Sequence, residues 1–274
     1  MLHLLKRHPL PVSAFFRHSL VLTYAFPRAV LDPLLPSGLT LDTYRDHGFL
    51  AIALVETQHL RPSFLPAAFG QSFFLSGYRI FTRLSGAISQ RGLRILRSDT
   101  NHQWMACAGN LLTHYHYRLC DADLQEQPGQ LHWTIRTPHQ QADMEVLAHI
   151  GGEPAPLPTG SPFANEKEAR RFAGPLPYTF DYEQETHSII RIRGQREHWN
   201  PQPVAVEVRK NTFLQQEPFC HATPILANAF HIQDVSYQWM RGVRIPLVGS
   251  ALRGCRRDSA RRWSLSNRHS KGGA

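Results

Sequence analysis

The chain has 274 residues, 42% of them hydrophobic, enough to fill a sizeable core, so wholesale disorder is excluded. Its formal charge of +9 is uneven: from Leu252 onward seven basic residues stand against one acid, Asp258, so that stretch carries +6 (7 − 1) of the total. No apolar run reaches the roughly 18 residues a spanning helix needs, and Lys6, Arg7 and Pro9 make the N-terminus a poor secretory signal.

These readings predict a cytoplasmic protein with no membrane partner, consistent with four cysteines (107, 120, 220, 255) that lack metal-ligand spacing and read as buried free thiols. The stretch 252–274 reads as a basic, disordered tail. Its one aromatic, Trp263, is no stacking platform, so no nucleic-acid partner is expected.

Twenty prolines and eighteen glycines, scattered along the chain, predict many short strands joined by turns. In chain order, residues 20–25 read as a strand. Phe26 and Pro27 open a short helix to residue 35, and 39–44 form a second strand. Residues 48–56 (GFLAIALVE) are nearly all apolar, as in a strand buried on both faces. Residues 61–70 are a loop with exposed aromatics.

Residues 77–84 alternate, setting Tyr78, Ile80 and Thr82 on one face and Arg79, Phe81 and Arg83 on the other. A turn at 85–91 leads to a strand at 92–98. A helix at 102–112 follows, capped from 99–101, with a stripe of Trp104, Met105, Ala108 and Leu112. Residues 113–119 continue as a strand, with more strands at 130–137 and 144–149. A proline-rich linker (154–162) precedes a charged helix from Ser161 to Gly174, expected to pack on the outside. Strands are also expected at 187–193, 204–210 and 235–240.

Segment 109–119 (GNLLTHYHYRL) carries two histidines, two tyrosines and an arginine, but no lysine. With 23–42 (TYAFPRAVLDPLLPSGLTLD), it resembles the acetoacetate decarboxylase-like superfamily, and more closely its DUF2071 or YqjF-like branch. The resemblance implies a β-rich α+β fold, an antiparallel β-barrel or cone with a few short peripheral helices, as a single domain over residues 1–251. In the decarboxylases the matching segment ends in a lysine pair, one of which forms a Schiff base; here those positions are Tyr117 and Arg118. Arg17, seven residues before Tyr24, matches the arginine near the substrate carboxylate. The pocket glutamate is missing, since no acid occurs between Glu56 and Asp99.

A Schiff base needs an unprotonated amine, which tyrosine lacks and arginine cannot supply. Decarboxylation by that route is therefore not expected. Of the four lysines (6, 167, 210, 271), only Lys210 is placed to intrude on a pocket.

The expected activity is binding of a small anionic, carboxylate-bearing ligand, with Arg17, His114, His116, Tyr117 and Arg118 as candidate contacts. Tyr115 and Tyr117 are the catalytic candidates, for proton transfer if a reaction occurs, because a tyrosine beside a cation ionises more easily. His114 and His116, two apart on a strand, share a face and invite a zinc reading with a third ligand such as His102, His187, His221 or His231. Arg118 on that face would repel a cation, so no metal is expected, and no cofactor motif occurs. Segment 221–237 offers a weak triad of histidines, Asp234 and Ser236. Glu207, among apolar residues, is expected to pair with an arginine, with 191–193 as one source. Relatives often form oligomers, which leaves a homo-oligomer open. The alternative is a non-catalytic interaction protein whose basic tail recruits an acidic partner.

Overall fold

The computed structural model describes residues 2–247 except 87, 88 and 175, so the basic tail lies outside the described residues. The strands are β1 (Val12–Pro27), β2 (Leu39–Leu41), β3 (His47–Pro62), β4 (Gln71–Leu84), β5 (Gln90–Thr100), β6 (Tyr117–Leu119), β7 (Asp121–Gln127) and β8 (Gln130–Arg136). They continue as β9 (Met144–His149), β10 (Tyr178–Glu183), β11 (Ser188–Arg196), β12 (Gln202–Pro203), β13 (Ala205–Asn211), β14 (Ile225–Trp239) and β15 (Val243–Pro246). Among the described residues three α-helices intervene: α1 (Arg28–Leu31), α2 (Gln103–Leu112) and α3 (Glu166–Phe172).

The larger sheet runs β14-β1-β3-β4-β5-β10-β11, and β11 returns to pair with β14, so seven strands close into a ring. At the closing seam Gly194, Gln195 and Arg196 lie opposite Trp239, Gln238 and Tyr237. Closure pairs backbone groups that a free edge would expose. Strands β2, β6, β12 and β15 attach to this ring. Most pairings are antiparallel, but β5 runs parallel to both β6 and β10. A second sheet, β13-β9-β8-β7, was not foreseen and covers one outer wall.

The unbroken apolar run of β3, buried from Gly48 to Val55, has a simple cause. Its outer face, Leu50, Ile52 and Leu54, joins Leu20, Leu22, Tyr78 and Ile80 against Leu131, Trp133 and Val146 of the second sheet. Its inner face, Phe49 and Ala51, meets Ala25, Phe81, Phe163 and Ala169 inside the ring. Strand β8, covered on one side only, alternates buried and half-buried positions. Trp133 is fully buried against Phe74, ring centres 5.2 Å apart. Burying a side chain of that size contributes on the order of 2–3 kcal/mol.

Several expected elements shift. The helix from residue 26 shrinks to α1 and a 3-10 turn at Asp32–Leu34. The helix expected from Ser161 starts later, because Ser161 donates its hydroxyl to the Ala227 carbonyl while Asn165 caps the amide of Glu168. That helix, α3, does not ride on the outside: Ala169 and Phe172 pack into the ring's inner cluster, and only its charged side meets solvent. On α2 the stripe is rotated, with Ala106 and Gly109 buried and Trp104 79% exposed. Asp99 and Asn101 do not cap it; Asp99 is buried with Ser76 and Arg97, and Asn101 accepts from the Phe74 amide. Cys120 is buried, but Cys107 and Cys220 are exposed.

A candidate anion chamber inside the ring

Inside the ring lies a chamber of about 110 Å³. Strand alternation selects its walls. On β4, outward Tyr78 and Ile80 leave Arg79 and Phe81 pointing in. Arg196 and Tyr237 come from opposed positions on the closing seam, and Trp199 follows β11. Tyr115 and Tyr117 enter from the segment after α2.

Glycine makes room for two of these side chains. A Cβ on Gly77 would lie 2.6 Å from Nε of Arg79, so the guanidinium lies across a position that only glycine leaves open. Gly194 likewise leaves room for the hydroxyl of Tyr237.

The chamber presents two guanidiniums, and among the described residues lining it there is neither an acid nor a lysine. Arg79 has no ion pair among the described residues, and its buried Nε has no hydrogen-bond partner. Nor do Tyr115 Oη and Trp199 Nε1. Arg196 donates from Nη2 to the Leu176 carbonyl at 3.2 Å and stacks over Trp199, 4.7 Å from the ring centre. Burial lowers the Arg196 pKa; the Tyr237 hydroxyl opposes this and the Arg79 charge adds to it. A guanidinium nonetheless stays protonated. Two like charges with orphaned donors in a small enclosed space favour an anion, which would pair both and occupy the open hydrogen bonds.

Burial raises the pKa of both Tyr115 and Tyr117, and the Arg79 charge offsets this only in part for Tyr117. They therefore face the chamber as neutral hydroxyls, donors rather than bases, and the expected easier ionisation does not occur. Asp181, two residues along β10 from chamber-lining Thr179 and on the same face, is buried and pairs with Arg94 at 2.8 Å, leaving Oδ2 without a partner. Burial pushes its carboxyl up to about 6 against the pull of Arg94. Its charge further raises Tyr115.

The structure separates the candidates read from the sequence. Arg17 sits at an irregularity of β1 and points away from the chamber, paired with Glu56 at 3.2 Å and with Glu126. It does not converge with segment 109–119. Arg118 is exposed and donates to Gln141. His114 and His116 do not lie on a strand: after α2 the chain turns, His116 has φ +54°, and β6 begins only at Tyr117. Asn110 holds that turn through both backbone polar groups of Tyr117, each at 2.8 Å. The two histidines, with Lys6 and Arg118, border another, basic pocket of about 330 Å³ that meets the chamber at Tyr117. Burial lowers both imidazole pKa values, and nearby cations lower them further. Only Tyr115 and Tyr117 of the candidates line the chamber.

The remaining suggestions also resolve. Lys210 pairs with Asp143 at 2.8 Å on the second sheet, away from the ring interior. Glu207 lies on that sheet's exposed face and pairs with Arg209 at 3.0 Å, not with 191–193. His231 meets His18 at 3.1 Å rather than completing a triad. No group of three metal-ligating side chains forms among the described residues.

Sequence reading missed Arg79 and Arg196. The alternation of 77–84 did place Arg79 beside Phe81, so an arginine on an otherwise apolar face was the available signal. Arg196 left none, because its place depends on which distant strand closes the ring.

No curated protein matches the chain. Among solved structures it is similar to acetoacetate decarboxylase from Legionella pneumophila, at 11% identity and TM-score 0.57, covering 86% of this chain and 88% of that one. It is also similar to an acetoacetate decarboxylase-like enzyme from Sphingomonas wittichii, at 11% identity and TM-score 0.59, covering 87% and 94%. A third is the enduracididine biosynthesis enzyme MppR complexed with pyruvate, at 10% identity and TM-score 0.59, covering 86% and 90%. At such identities the likeness shows the fold: this chain has the acetoacetate decarboxylase-like architecture. The DUF2071 family model, described as an uncharacterized conserved protein, matches residues 13–234, and the chain belongs to that family.

Proposed function

We propose that the protein binds a small carboxylate inside the ring, with Arg79 and Arg196 as charge partners and Tyr115 and Tyr117 as hydroxyl donors. The observation carrying this reading is the pair of guanidiniums facing one chamber whose described lining has no acid. The MppR structure with bound pyruvate, a keto acid in the same architecture, is consistent with it. Schiff-base decarboxylation is not part of the reading. Tyr117 stands where the decarboxylase pattern has its lysine, and no lysine lines the described chamber. Any reaction would use the neutral tyrosine hydroxyls to stabilise a developing oxyanion.

The test is a thermal-shift screen of the purified full chain against small carboxylic and keto acids, since a ligand of the folded state raises the melting temperature with concentration. Stabilisation by at least one acid, lost in Arg79→Gln and in Arg196→Gln but kept in Arg17→Ala, supports the chamber. A response lost in Arg17→Ala and kept in the other two would refute it. So would a flat screen on folded protein.

A further inference from the structure

The chamber is too small for more than a short acid, so a larger ligand must extend beyond it. Of the spaces that share lining residues with it, one of about 440 Å³ at Ala173, Gly174 and Phe230 carries Glu166, Lys167 and Arg170 in its walls. The basic pocket meets it only at Tyr117. Two others remain. One is a broad polar cleft of about 1080 Å³ that meets the chamber at Arg196, Trp199 and Tyr237 and is otherwise lined by Gln58, Gln195 and Gln238 among others. The other is a recess of about 260 Å³ sharing Tyr115, Tyr117 and Trp239 with the chamber. Its remaining walls are mainly apolar: Pro9, Leu10, Val12, Leu60, Met105 and Leu112. Small residues on α2, Ala108 and Gly109, keep it open. A side chain at Gly109 would collide with the ring of Tyr117.

A second observation points the same way. The segments that wall the recess, with their immediate neighbours, carry most of the exposed large apolar side chains among the described residues. Leu4, Leu5 and Leu10 precede β1, Phe64 and Phe69 follow β3, and Trp104 and Leu111 lie on α2. Of these, Leu10 itself lines the recess, and exposed apolar surface grouped on neighbouring segments marks a binding site more often than a free surface.

We infer that the ligand is a carboxylic acid bearing an apolar chain, its carboxylate on Arg79 and Arg196 and its chain past the Tyr115, Tyr117 and Trp239 rings into the recess. This rests on the carboxylate reading of the chamber. The polar cleft then serves as the solvent-side approach, because its glutamines match water better than hydrocarbon.

Calorimetric titration of the full chain with straight-chain carboxylates from acetate to decanoate, kept below micelle-forming concentrations, tests this. Affinity should rise about fourfold per methylene until the recess is full. An Ala108→Trp change, on an exposed helical position that faces the recess, should bring decanoate down toward acetate. ω-Hydroxy acids of equal length should bind more weakly than the unsubstituted acids. An affinity independent of chain length, a chain-length gain retained in Ala108→Trp, or equal binding of the ω-hydroxy acids would overturn the inference. If Arg79→Gln still abolished acetate binding in that case, the chamber reading would survive alone. Absence of binding by every acid would sink both.

Discussion

At the residue scale, glycine positions decide what the arginine and tyrosine side chains can do. Gly77 lets the Arg79 guanidinium lie against its own strand, and a methyl group there meets the far end of a flexible side chain rather than backbone. Gly77→Ala should therefore leave the protein folded, with a melting temperature near wild type, while greatly weakening carboxylate binding. Unchanged binding would mean that Arg79 can serve from another rotamer. Gly109→Ala differs, because the added methyl meets the packed ring of Tyr117, which has less freedom to move. Overpacking of this kind costs about 1–3 kcal/mol, and a urea-denaturation midpoint should show it. Of the segment that carried the family resemblance, Tyr115 and Tyr117 were legible as wall residues. The role of Arg118 was not: it lies on β6 next to Tyr117, so strand alternation sends it to the opposite face, toward Gln141.

At the element scale, the turn between α2 and β6 rests on side-chain hydrogen bonds. Thr113 ends the helix by donating its hydroxyl to the Gly109 carbonyl at 2.7 Å, and Asn110 binds the amide and carbonyl of Tyr117. Asn110→Ala removes both of the latter bonds and should cost roughly 1–3 kcal/mol, with faster amide exchange confined to 113–119. Uniform exchange changes would contradict the local role. Asp42, part of the other resembling segment, has a structural task as well. It is fully buried and pairs with Arg83 at 2.7 Å and with Arg91, tying the end of β2 to β4 and β5. Both arginines are partly exposed and can be resolvated, so Asp42→Ala should cost about 1–3 kcal/mol, less than a fully buried pair would. Strands with long apolar or alternating runs, such as β3, β4, β8 and β9, were readable from pattern. Strands β7 (DADLQEQ), β10 and β15 were not, because their polar residues leave no apolar run.

At the scale of the whole molecule, buried histidines set the response to acid. His8 and His231 have pKa values lowered to about 4, chiefly by burial; His18 lowers His231 further, while Asp234 and Glu126 oppose. In the unfolded chain both titrate near 6.5. Between these values the unfolded state binds more protons, so stability falls as pH drops from about 6.5 to 4, by at most about 3 kcal/mol per histidine. Asp181 acts in the opposite sense: its carboxyl, raised to about 6, holds its proton more tightly in the folded state, so acidification below 6 is stabilising there. Two groups outweigh one, and urea midpoints at pH 7, 5.5 and 4.5 should decline. His231→Gln, which can keep a hydrogen bond to His18, should flatten that decline. A midpoint that rose on acidification would show that Asp181 dominates.

The family resemblance, the strand-rich fold class and the two-faced burial of β3 all followed from the sequence. Each depends on local pattern or on residue identity at a motif position. Which arginines meet in one chamber did not, because Arg79 and Arg196 are more than a hundred residues apart and converge only when β11 pairs with β14. Arg17 and Arg118 had the stronger local signals, yet a strand irregularity and the alternation of β6 direct them to partners outside the chamber. Closure of the ring is a long-range pairing event, and it decides which alternating face becomes interior.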